Sequence, residues 1–157
     1  MRYATDSAVI ATPIGAIRLS GDDRLHAIRV LTEPAAPIRG SAPAVIAAAE
    51  QLEAWFAGAL YAFDLALESP TTQRGQALRQ GLIDVGYGDT LSYGALARKL
   101  GSSPRAIGQL CARNPFPIVV PCHRVLAGDG LGNYSAGAGI KTKQWLLEHE
   151  QRHRRDR

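Results

Sequence analysis

SYGALARKLGSSPRAIGQLCAR, residues 92–113, decides how this chain folds. Its first part reads as a helix, with Leu96 and Leu100 on one face. Gly101 stops that helix, because glycine adopts the left-handed conformation that closes a last turn. Ser103 is placed as an N-cap, and Pro104 takes the first helical position, where a missing N–H costs nothing. A second helix follows, with Ile107 and Leu110 inward. Helix, short glycine-containing turn and capped helix form the helix-turn-helix plan. Arg98, Lys99, Arg105 and Arg113 make the pair basic. Arg105 stands at the start of the second helix, where such helices meet a nucleic acid. From charge alone, an exposed arginine anchored by its stem is the better reading.

Immediately downstream, PFPIVV (residues 115–120) reads as a short buried strand that Pro121 ends, presenting Cys122-His123-Arg124. An isolated thiol is largely protonated at neutral pH, so Cys122 needs a base to become a nucleophile. His123 is beside it, but successive residues of a strand point to opposite faces. The two cooperate only if the backbone turns or a water relays the proton. A histidine base also needs an orienting group, usually a carboxylate; Asp129, Glu148 and Glu150 are the candidates. KTKQWLLEHE (residues 141–150) reads as an amphipathic helix with Trp145, Leu146 and His149 on its apolar side, and Glu150 can turn back into the core. At this level a reactive Cys122 and an inert buried one are both open. Cys111, with no base beside it, is expected to be small and unreactive.

Upstream, VIATPIGAIRLSG (residues 9–21) and LHAIRVL (residues 25–31) are β-like runs joined by the turn Gly21-Asp22-Asp23. The proline-rich residues 32–43 form a loop. Ser41 is placed to cap a helix carrying Val45, Ala49, Leu52 and Phe56, and YAFDLAL (residues 61–67) alternates as a strand does. Residues 68–75, ESPTTQRG, mark a boundary. The reading is an α/β (α+β) chain with a scaffold domain at 1–68 and a helix-turn-helix domain at 69–157.

The 157 residues carry a net charge of +4, with a pI of about 9.4. That permits a polyanionic partner without requiring one. Two cysteines cannot build a disulfide framework, nor a structural zinc site without several well-spaced histidines, so neither metal nor cofactor is expected. No apolar run reaches membrane-span length and the N-terminus has no secretory pattern, which points to the cytoplasm. The basic end HEQRHRRDR reads as a solvated tail.

Taken together, YGALA, RAIG, NPFPIVVPCHRV, GNYSAG and K-x-WLLEHE closely resemble the O6-alkylguanine-DNA alkyltransferases, also called methylated-DNA–protein-cysteine methyltransferases. The resemblance is strong from about residue 85 to 150 and weaker before. It implies a small ribonuclease-H-like domain followed by a winged helix-turn-helix domain that is both DNA-binding and catalytic. It implies a monomer that flips O6-alkylguanine out of duplex DNA and moves the alkyl group once, irreversibly, onto its own cysteine; O4-alkylthymine is a further substrate of such proteins. By position, Cys122 is the acceptor, His123 the base acting through a water, and Glu150 its orienter. Tyr93 protonates the leaving guanine, and Asn114 holds the turn around the cysteine. Arg105 enters the base stack, with Ser103, Ala106, Gly108 and Arg113 also at the DNA. Val125, Tyr134 and Ser135 wall the base pocket. Departures from the pattern are Arg79 near an expected tryptophan, Gln109 for a small residue, Gly86 for a proline, a short turn at residues 101–105 and a long loop at residues 134–145. A DNA-binding damage sensor without transfer, and a cysteine hydrolase of another class, are the alternatives.

Overall fold

The computed structural model describes residues 5–154 and divides into two compact units, residues 1–68 and 69–157. In the first, strands β1 (Asp6–Thr12), β2 (Gly15–Gly21) and β3 (Leu25–Val30) form an antiparallel sheet in sequential order. Residues 9–21 are thus two strands and not one run. They fold back at Pro13-Ile14, where the Thr12 hydroxyl accepts the Ile14 N–H at 3.2 Å and opposes Gly15 across the hairpin. Ile17 and Leu19 of β2 point into the core, as period-two alternation requires.

Helix α1 (Pro43–Phe56) covers this sheet. Its buried stripe is Val45, Ala48, Leu52 and Trp55, rotated by one position at two places from the expected Ala49 and Phe56. Ser41 is not its cap. The N-cap is Ala42, and the Asp6 carboxylate on β1 accepts the N–H groups of Ser41 and Ala42 at 2.6 and 2.8 Å. Those backbone hydrogen bonds hold the Asp6 carboxyl below its usual range. Residues 61–67 do not form a strand either. Only Leu67 bridges, to Leu25, because the Gln51 side chain takes both backbone groups of Asp64, accepting its N–H and donating to its carbonyl.

In the second unit, α2 (Gln73–Ile83) is N-capped by Thr72, whose hydroxyl accepts the Gly75 N–H. Strand β4 (Leu91–Ser92) leads directly into α3 (Tyr93–Leu100), capped by Ser92 and ended by Gly101 at φ 62°, ψ 40°. The Arg74 guanidinium donates to the carbonyls of Leu100 and Gly101, groups that a helix end leaves unpaired. Helix α4 (Pro104–Ala112) starts at Ser103, whose hydroxyl accepts the Ala106 N–H. The helix-turn-helix is therefore present with the Ser103 cap and the Gly101 stop read from its sequence, and with a further cap at Ser92.

Residues 115–120 are the main departure: they are a series of tight turns and not a strand. Pro115 and Pro117 lack the N–H a ladder needs, and Asn114 fastens the segment by accepting Phe116 N–H and donating to Val120 carbonyl. Ile118 sits there at φ 75°, a region costly for a β-branched residue, and is 1% exposed. Residues 122–124 form a 3₁₀ turn leading into β5 (Val125–Leu126), which pairs parallel with β4. Helix α5 (Ile140–Arg152) closes the unit. Of the expected tail, residues 149–152 are helical and Arg154 pairs with Asp89 at 3.3 Å; residues 155–157 lie outside the described residues.

Candidate active site

Three segments distant in sequence converge on Cys122. The parallel pairs Leu91–Val125 and Ser92–Leu126 set the start of α3, and hence Tyr93, beside the end of the 122–124 turn. Helix α5 delivers Glu150 and Lys143 from the other direction. Asn114, two residues past α4, donates its amide to Cys122 Sγ at 3.2 Å as well as to Val120 carbonyl at 2.8 Å. The thiol is thus held by the residue that shapes its loop.

His123 is fully buried, and its Nε2 lies 2.8 Å from Glu150 Oε2. Glu150 is fully buried too and collects further donors: Arg124 Nη2 at 2.7 Å, Arg124 Nε, and the Gly88 N–H at 3.1 Å. Burial opposes ionisation of Glu150, but hydrogen bonds and charges from His123 and Arg124 outweigh it and hold the carboxyl at about 2. A carboxylate only accepts hydrogen bonds, so Nε2 carries the proton. Burial pushes the His123 pKa down, against the pull of Glu150, so the ring is neutral at physiological pH and Nδ1 is its basic atom. Burial likewise raises the Cys122 pKa, while the Asn114 hydrogen bond and the Lys143 charge lower it. The resting thiol is protonated, and a base has work to do.

Arg124 and Lys143 carry functions that the sequence reading left unassigned. Arg124 is buried, donating to Glu150 and, through Nη1, to Val85 carbonyl at 2.7 Å. Lys143 is fully buried, with Nζ donating to Val125 carbonyl at 2.7 Å and Asn133 carbonyl at 3.3 Å. Its ammonium lies 5.8 Å from the Tyr93 ring centroid.

In the same unit opens a cleft of about 830 Å³, lined by Tyr93, Arg105, Gly108, Cys111, Tyr134 and Ser135 among others; the buried Cys122 lies behind this lining and not in it. That is in the range of ligand sites, roughly 300–1,000 Å³. Gly132, at φ 74°, lies against the Tyr93 ring so closely that a Cβ there would approach within 3.1 Å. Burial raises the pKa of Tyr93 and Tyr134, and both phenols are protonated donors. The Tyr134 hydroxyl is buried without a partner among the described residues.

Not every expected residue meets at the cleft. Ser103 serves as the α4 cap. Ala106 and Arg113 line a separate groove toward α2, with Gln109 and Leu110. Val125 is buried behind the cleft, its carbonyl engaged by Lys143. Arg79 lies over the Phe116 ring at 5.2 Å, where the family pattern led us to expect a tryptophan. His149 and His153 are spaced like helical metal ligands. Their rings instead lie 4.3 Å apart, tilted by 43°, and no group of three or more metal-binding side chains occurs among the described residues.

Charge separates along the chain. Residues 1–68 hold five basic and eight acidic side chains, residues 69–157 thirteen and six. The cationic excess belongs to the unit that carries the cleft, and Arg98, Lys99, Arg105 and Arg113 are all exposed. No described helix is long and apolar enough to cross a membrane.

Residues 75–152 match the family described as 6-O-methylguanine DNA methyltransferase, DNA binding domain. The chain is 38% identical over 152 residues to a methylated-DNA–protein-cysteine methyltransferase of Mycolicibacterium paratuberculosis, spanning 92% of this chain and 91% of that one. It superposes on the crystal structure of Mycobacterium tuberculosis O6-methylguanine methyltransferase with a TM-score of 0.82 at 34% identity, covering 98% and 97% of the two chains. Against Mycobacterium tuberculosis OGT in complex with DNA the TM-score is 0.80 at 35% identity, covering 94% and 93%.

Proposed function

The chain belongs to the methylated-DNA–protein-cysteine methyltransferases, and from that premise we propose that it repairs O6-alkylguanine in duplex DNA by moving the alkyl group onto Cys122. The activity is direct reversal of DNA damage. The observation that carries the assignment of residues is the buried Glu150–His123 pair next in the chain to a protonated thiol that Asn114 holds.

The O6 atom cannot be reached within the base stack, so the alkylated base must leave the duplex. Arg105, exposed at the first turn of α4 and lining the cleft, takes the place it vacates. The flipped base enters between Tyr93 and the Tyr134–Ser135 loop, where the buried Tyr134 hydroxyl gains a partner. In a 3₁₀ turn there are three residues per turn, so consecutive side chains diverge by about 120°. A water therefore carries the proton from Cys122 Sγ to His123 Nδ1, and Glu150 stabilises the imidazolium that results. The thiolate attacks the alkyl carbon: the S–C bond forms, the C–O6 bond breaks, and its electron pair leaves with guanine. Tyr93 donates a proton to the departing base, and the proton lost by the thiol balances the one guanine gains. The thioether is stable, so each molecule acts once. Cleft, relay and helix pair all lie within residues 69–157, so a monomer suffices. A binding-only sensor would have no use for the relay.

The test is stoichiometric incubation with duplex DNA carrying O6-methylguanine, followed by mass mapping. One methyl mass on the peptide containing Cys122 is expected, and none in Cys122→Ala. Arg105→Ala should lose repair more than duplex affinity. Transfer by Cys122→Ala, or no transfer by the native protein, refutes the assignment.

A further inference from the structure

The loop between α2 and β4 is gripped at one glycine. Gly88 donates its N–H to Glu150 Oε1 at 3.1 Å, and its carbonyl accepts the Gln151 side-chain amide at 2.8 Å. Two consecutive residues of α5 thus hold both polar groups of one backbone position. Gly88 adopts φ 79°, and a Cβ on it would come within 3.3 Å of Arg154 Cγ and Cδ, so the loop lies close against the end of α5. The two oxygens of Glu150 have different duties. Oε2 faces His123 Nε2 at 2.8 Å and Arg124 Nη2 at 2.7 Å, while Oε1 accepts from Gly88 and from Arg124 Nε. Gly88 therefore helps to fix the rotation of the carboxylate that aims Oε2 at the imidazole.

We propose that Gln151 is a positioning residue for alkyl transfer: by holding the Gly88 carbonyl it keeps the Gly88 N–H on Glu150, and so keeps Glu150 aligned on His123. This rests on the reading of Cys122 as the acceptor and His123 as its base. Glycine has the widest backbone freedom of any residue, so a Gly88 released at its carbonyl rotates away from Glu150. Oε1 then lacks a donor, the carboxylate turns, and the imidazolium formed during transfer loses part of its stabilisation. Gln151 is exposed and sits in the last turn of α5, so its replacement leaves the core intact.

The experiment follows single-turnover methyl transfer from duplex DNA carrying O6-methylguanine by the native protein, Gln151→Leu, Gln151→Glu and Gln151→Lys. Each molecule reacts once, so the amplitude counts folded protein and the rate constant at saturating DNA reports the relay. At pH 7.5 the rate constant should fall about tenfold in Gln151→Leu and in Gln151→Glu, which keeps the length but has no donor, with duplex affinity unchanged. Gln151→Lys, which restores a donor to the Gly88 carbonyl, should recover to within about twofold. The deficit should also narrow as pH rises above 9, because hydroxide then ionises the thiol without help from His123. A native rate constant in Gln151→Leu overturns the proposal. So does a loss in Gln151→Lys equal to that in Gln151→Leu, or a deficit that stays constant up to pH 10. Absence of transfer by the native protein removes the underlying assignment instead, and the native amplitude separates that case.

Discussion

Replacing Glu150 by glutamine tests the buried relay most directly. The change preserves shape but removes the negative charge that faces His123 and Arg124. Native Glu150 ionises at about 2 against an ordinary 4.5. At about 1.4 kcal/mol per tenfold change in proton affinity, that depression is worth about 3 kcal/mol of stability at neutral pH. Removing one partner of a buried ion pair costs about 3–5 kcal/mol by independent reasoning, since the Arg124 charge stays buried and uncompensated. The two routes agree. For a chain of this length the melting temperature should fall by about 6–12 °C, at about 2–4 °C per kcal/mol. The pH dependence carries a sign. A depressed carboxyl contributes fully above pH 4.5 and loses its contribution as pH falls toward 2, so the native protein has an acid limb there that the variant lacks. His123, with its lowered pKa, adds loss of stability below about pH 6.5 in both proteins, because only the unfolded chain takes the proton. Urea denaturation at pH 7.5 and along a series down to pH 3 measures both effects. Alkyl transfer should also slow by about 10²-fold, the usual worth of a positioned base. A loss under about 1 kcal/mol at pH 7.5, or an acid limb as steep in the variant as in the native protein, would refute the reasoning.

Two further outcomes follow from single contacts. Lys143→Met removes the cation that favours the Cys122 thiolate, so the pH–rate profile of transfer should move to higher pH; an unmoved profile shows that the ammonium only holds the Val125 and Asn133 carbonyls. Gly101→Ala should destabilise the protein by about 1–2 kcal/mol in thermal or urea unfolding, because φ 62° disfavours a Cβ although nothing lies within 4 Å of it; Gly101→Asn should recover part of that loss.

The helix pair was legible because its signals are local. Ser92, Gly101, Ser103 and Pro104 act on backbone groups within a few residues, so their identities alone set where α3 and α4 begin and end. The family motifs likewise pointed to Cys122, His123, Glu150 and Tyr93 as one constellation. Where the reading failed, a distant group had intervened. Asp6 held the backbone of Ser41 and Ala42 and left Ala42 at the N-cap, Gln51 satisfied the backbone that YAFDLAL would have used in a ladder, and Asn114 drew residues 115–120 into turns. Arg124 and Lys143 went unassigned because a buried charge is recognisable only by its partners, Glu150 and Val85 for one, Val125 and Asn133 for the other. Local chemistry in the chain determined the helix-turn-helix and the residue types of the site. Tertiary structure decided which nitrogen of His123 is basic and why the thiol needs a base, because both follow from burial and from hydrogen bonds between residues up to 62 positions apart.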